Sequence, residues 1–142
     1  MAKPMTHVAT QIAQQIAGDY VPTAVYFSDS DCVEYVKEDA FAIYERVDEF
    51  LTLIFDETKI RLIGFKLKGF RCIYEKHLKP LFELNDSQFL GLVSAIEAVC
   101  TVLGEQLVAD DERARAYKAA LKLAANDNVR LYDTFLDHRA AA

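Results

Sequence analysis

From Thr23 to Leu67 the chain alternates apolar runs of four to eight residues with short polar clusters. That rhythm constrains the fold more than any other feature. Ala24 to Phe27 is the first strand candidate, and Ser28-Asp-Ser-Asp31 is a turn, because short polar side chains bond their own backbone there. Cys32 to Val36 is the returning strand, rich in Val and Tyr. Phe41 to Arg46 is the third and Phe50 to Phe55 the fourth, with Val47-Asp-Glu49 as the connection. The fourth is apolar on both faces, which predicts a central or interface strand. Asp56-Glu-Thr-Lys59 turns the chain into a fifth strand over Ile60 to Leu67. Connections this short cannot carry the crossover that parallel strands need, so neighbouring strands are expected to be antiparallel.

Outside that region the period changes from two to between three and four. Val8, Ile12 and Ile16, with Ala9 and Ala13 beside them, predict a helix over residues 6–17, and Gly18 is its stop. Phe70 to Leu78 predicts a helix halted near Pro80. Asn85, Asp86 and Ser87 offer N-cap oxygens for a longer helix over 86–107, striped by Phe89, Val93, Ile96, Cys100, Leu103 and Leu107. A second strip, Leu92, Val99 and Val102, leaves that helix little polar surface. Asp110-Asp-Glu112 starts another helix that runs to about Ala125, with acids at the positive end of its dipole. Residues 129–137 are expected to form a last short helix around Leu131, Phe135 and Leu136. The fold class read from this order is α+β. It has an antiparallel β-meander of four to five strands (about 23–67), preceded by one helix and followed by three to four. A chain of 142 residues fits one domain.

Composition excludes several classes. With 52% hydrophobic and 27% charged residues the chain is globular rather than disordered. The net charge of −6 argues against a generic nucleic-acid binder. Cys32, Cys72 and Cys100 form no C-x-x-C pair, which excludes a disulfide framework or zinc ribbon and fits a reducing compartment. The start has no apolar signal core, and the most apolar stretch, Phe89 to Leu103, is interrupted by Glu97. It falls short of the roughly 18 residues of a membrane span. A cytoplasmic protein with no membrane partner is the expectation.

No motif announces catalysis or a cofactor. Asp29, Asp31 and Glu34 form a D-x-D-x-x-E cluster, but the glycine and later bidentate Glu of a calcium loop are missing. His7, His77 and His138 have no second ligand at metal spacing. Cys72 and Cys100 fall on helical segments, and Cys100 lies on the apolar stripe without a basic neighbour to activate it. Gly18, Gly64, Gly69, Gly91 and Gly104 are too scattered for a phosphate loop. Charge segregation is the exception to this blandness. Residues 59–79 hold seven bases against Glu75 alone, and residues 28–57 hold ten acids against Lys37 and Arg46. Such a split is either a binding face or strands that neutralise one another across the sheet.

Tyr26 to Val36, Leu53-Ile-Phe-Asp56 and Leu62 to Leu67 together resemble a short bacterial domain, the domain of unknown function numbered 2283. The resemblance covers about residues 24–70. It departs in three places: one extra residue between Asp31 and Tyr35, no turn glycine at Lys59, and Lys66 where an acid is usual. It implies a small β-meander acting beside toxin-like partners, and it transfers no catalytic residue.

Three functional expectations follow. The first is a non-enzymatic protein that self-associates, as a homodimer, through Phe89, Leu92, Val93, Ile96 and Val99. The second is a regulatory module that meets nucleic acid or an acidic partner through Lys66, Lys68, Arg71, Lys76 and Lys79. The third is an enzyme using Asp29, Asp31 and Glu34 with Tyr35 or His77.

Overall fold

The computed structural model describes Tyr20, residues 22–80 and residues 89–132. The expected helix over 6–17, the N-cap residues Asn85 to Ser87, His7, His138 and residues 133–137 lie outside the described residues. The order of elements is β1 (Val25–Phe27), β2 (Cys32–Val36), β3 (Ile43–Arg46), β4 (Leu51–Phe55) and β5 (Leu62–Lys68), then α1 (Phe70–Ile73) running into a π-helical stretch (Tyr74–Leu78). After it come β6 (Phe89–Gly91), α2 (Leu92–Leu103), α3 (Glu105–Val108), α4 (Asp111–Asn126) and β7 (Arg130–Tyr132).

The expected α+β fold with an antiparallel sheet is what the chain adopts. The five strands lie in the order β1-β2-β5-β4-β3. Strands β3, β4 and β5 follow one another as a meander, and β5 then pairs with β2, with Val33 opposite Leu67 and Tyr35 opposite Phe65. Central position explains the two-sided apolarity of β4, in which Leu51, Thr52, Leu53 and Ile54 are all buried. A register shift between Ile54 and Phe55 marks a bulge in the β4–β5 pairing. Nearby, a Cβ on Gly64 would stand 2.1 Å from the Tyr35 carbonyl oxygen, so only glycine fits this close approach of β5 to β2.

One face of the sheet carries the core. Val33, Tyr35, Leu51, Leu53, Phe65 and Leu67 pack with Phe70 and Tyr74, with Leu92, Ile96 and Val99 of α2, and with Tyr117, Ala120 and Ala124 of α4. Alternation sends Cys32, Glu34, Thr52, Ile54, Lys66 and Lys68 to the other face.

Two expectations from sequence are corrected. The helix over 86–107 is divided. Phe89–Gly91 is a strand, the helix begins at Leu92, and Gly104 at φ 54°, ψ −122° ends it before the short α3. That backbone angle is one a side chain resists, so the glycine sets the break. The short helix expected over 129–137 is replaced, in its described part, by β7, which pairs with β6 from Phe89 opposite Tyr132 to Gly91 opposite Arg130. The physical reason is the turn before it. Asn128 takes a left-handed φ of 50°, Val129 N–H reaches the Ala124 carbonyl (3.0 Å), and Asn128 N–H reaches that of Ala125 (3.2 Å). This Schellman arrangement ends α4 and reverses the chain toward β6.

Candidate functional site

The Schellman turn also forms one wall of a cleft. This cleft of 710 Å³ opens between the end of β2 and the α4–β7 junction, lined by Pro22, Thr23, Tyr35, Lys37, Asp127 and Arg130 among others. Volumes of this order are usual for small-molecule sites. Tyr35 is only 4% exposed, and its hydroxyl donates to Asp127 Oδ2 at 2.7 Å. Burial first, and that carboxylate second, push the Tyr35 hydroxyl well above its ordinary pKa. The group therefore stays a proton donor through the neutral range. Lys37 Nζ stands 3.9 Å from Asp127 Oδ1. With its amide turned so that the oxygen faces Arg130, Asn128 accepts from Arg130 Nη2 at 2.7 Å. The Arg130 guanidinium lies 4.3 Å over the Phe89 ring, and that ring meets Tyr132 edge-on at 6.0 Å.

A second polar cluster ties the opposite end of α4 to the sheet. Asp48, in the β3–β4 turn, accepts from the backbone N–H groups of Phe50 and Leu51, both at 2.8 Å. It also accepts from Arg113 Nε at 2.7 Å and from Tyr117 Oη at 2.8 Å. Its side chain is 6% exposed. Burial alone would raise the Asp48 carboxyl, but the Leu51 N–H, Arg113, the Phe50 N–H and Tyr117 together hold it below the usual range. Every lone pair is used, so the cluster is structural.

The residues singled out from sequence fall elsewhere. Of the expected interface, Leu92, Ile96 and Val99 are buried in the core of the single chain, Val93 packs partly against that core, and Phe89 is the most open of the five. The stripe is consumed by α4 and the sheet, which corrects its reading as an interface. The basic segment is divided between two sides of the sheet. Lys66 and Lys68 lie on the face away from the helices, with Lys66 between Glu34 and Thr52. Arg71, Lys76 and Lys79 follow on the helical side, where Lys79 pairs with Glu75 at 3.8 Å. Neutralisation across the sheet accounts for the start of the segment. Lys59 meets Glu45 at 3.2 Å, and Arg61 forms a two-pronged pair with Glu38 and a further pair with Asp56 at 3.7 Å.

The acidic turn does not assemble a catalytic set. Asp31, at φ 51°, accepts from Tyr26 Oη and from Arg71 N–H, both at 2.8 Å, and so caps α1 from a neighbouring turn. Glu34 accepts from Tyr44 Oη at 2.6 Å. Tyr35 turns to Asp127 instead, and His77 is exposed on the π-helical stretch. Cys72 is exposed, and burial raises the Cys100 thiol above its ordinary pKa, the direction opposite to activation. Among the described residues there is no group of three or more His, Cys, Asp or Glu placed to hold a metal, and no helix is long and apolar enough to cross a membrane.

Compared with protein-family models, curated proteins and solved structures, the chain finds no match in any of the three. The geometry therefore carries the functional reading.

Sequence reasoning missed Asp127 as the partner of Tyr35 and Lys37, and Asn128 and Arg130 as lining of the same cleft. The local signal was the Asn126-Asp-Asn128 helix stop, which marks the turn. Nothing in the pattern brings that turn to β2.

Proposed function

We propose that this protein works by binding another protein chain, in its simplest form a second copy of itself, through the open edge of the sheet at β3. It acts in the cytoplasm, where the unpaired Cys32, Cys72 and Cys100 stay reduced. One observation carries the reading. Strand β3 is the outermost of the described strands, with no partner on its far side among the described residues; Tyr44, Glu45 and Arg46 are exposed along it, and Phe41 (68% exposed) and Ile60 (85%) stand at the same end of the sheet. Phe41 precedes β3, and Ile60 belongs to the β4–β5 turn. The Arg61–Glu38 pair fastens that turn to the connection bearing Phe41. Two apolar side chains on braced connections beside unpaired strand backbone are what an edge-to-edge contact uses.

Light scattering during gel filtration tests it at micromolar concentration. The expected mass is twice 16.0 kDa, returning to 16.0 kDa in Phe41→Asp and Ile60→Asp. A wild-type mass of 16.0 kDa at all concentrations would sink the homodimer.

A further inference from the structure

We infer that the cleft between β2 and the α4–β7 turn is a binding site for a small organic monoanion, a carboxylate or a phosphodiester of metabolite size. The lining holds more N–H donors than acceptors, and this holds independently of association through β3. Lys37 offers an ammonium with three N–H groups, and Arg130 a guanidinium with five. Asn128 engages part of the Arg130 fork, and Phe89 holds its plane from one side. The remaining N–H groups of both cations have no carboxylate within hydrogen-bond distance among the described residues.

The acceptors are committed. Asp127 Oδ2 takes the Tyr35 proton, Oδ1 faces Lys37, and the Asn128 oxygen takes Arg130. Asp127 is thus a brace that aims its neighbours, and burial keeps Tyr35 from competing as a second anion. Two cations against one carboxylate leave the lining one positive charge in excess, which a monoanion cancels. Beyond the two cations the lining is apolar or aromatic, at Pro22, Ala24, Val129 and Tyr132. The ligand therefore carries an organic body, which lies along the Tyr132 ring and the Pro22–Thr23 wall.

The test titrates the full chain with benzoate, diphenyl phosphate and the neutral isostere benzamide, following backbone amide shifts by NMR. Saturable shifts confined to residues 35–37 and 127–132 are expected for at least one anion. The anion that saturates first identifies the headgroup, and benzamide should give none at equal concentration. Lys37→Met should weaken binding about tenfold, the usual cost of losing one charge-assisted hydrogen bond. Arg130→Gln should do the same. Lys37 is half-exposed, so its variant keeps the fold even if Arg130→Gln does not. Equal response to anion and benzamide overturns the inference. So do shifts that stay linear to about 10 mM, or undiminished binding in Lys37→Met.

Discussion

Helix α4 is fastened to the sheet twice by the same chemistry, and the two fastenings differ in completeness. Near its start, Tyr117 and Arg113 close on Asp48; just past its end, Asp127 closes on Tyr35 and Lys37. Each is a tyrosine, a carboxylate and a base. The Asp48 cluster uses every lone pair of a buried carboxylate, whereas the Asp127 cluster sets two cations against one carboxylate at the wall of the larger cleft. A buried polar group is worth most to stability when nothing is left over. A site needs something left over. The comparison assigns stability to the first and binding to the second.

The largest test of that division is Asp48→Ala. It strands Arg113 and Tyr117 and takes away the acceptor of two backbone N–H groups, so a loss of roughly 3–5 kcal/mol is expected from urea unfolding. A loss below about 1 kcal/mol would reverse the assignment. Gly64→Ala should come next, at about 1–3 kcal/mol, because the new methyl group meets the Tyr35 carbonyl; its amide spectrum should change around the cleft more than around Asp48. A matched pair sharpens the contrast. Tyr117→Phe should cost about 1–2 kcal/mol and Tyr35→Phe about 1 kcal/mol or less, since the second vacated carboxylate can reach water.

Acid offers a subtler probe. The Asp48 carboxyl has a lowered folded pKa, so its contribution is complete above its unfolded value near pH 4 and fades as pH falls through the folded one. Urea midpoints measured down the acid range should therefore decline in the wild type, and less steeply in Asp48→Asn. The smallest effect is expected of Lys37→Met. Its stability should stay within about 0.5 kcal/mol of wild type, while its anion affinity drops.

Much of the sheet was legible because polar turns bracket each strand. Cys32–Val36 was read without error, and the two-faced apolarity of Phe50 to Phe55 pointed to a central or interface strand, of which the sheet shows the first. Asp110, read as the start of a helix, does cap α4 through Arg113 N–H at 3.0 Å. What escaped was whatever depends on partners distant in the chain. Strands β6 and β7 have three residues each, too short for a period of two to assert itself, and Phe89 fits a helical stripe equally well. The stripe of α2 was legible, and whether it serves as core or interface was not, since only the packing reveals that α4 covers Ile96 and Val99. The cleft was illegible for the same reason: Tyr35 and Asp127 are 92 residues apart. The charge split was visible, and half of its explanation with it, in the pairs that Lys59 and Arg61 make with Glu45 and Glu38.

The strand order also dictates a schedule for folding. Strand β5 is the last of the five to be synthesised, yet it lies between β2 and β4. Until it emerges from the ribosome, the β1–β2 and β3–β4 hairpins are separate pieces, each with an unsatisfied inner margin. Two-stranded hairpins are at best marginal alone. Insertion of β5 is therefore the step that commits the chain, and its contacts with β2 close a loop that includes both other strands. Substitutions in Phe65 and Leu67 should slow folding more than equally buried ones in α4, and a nascent chain stalled before Lys68 would present sticky margins to chaperones.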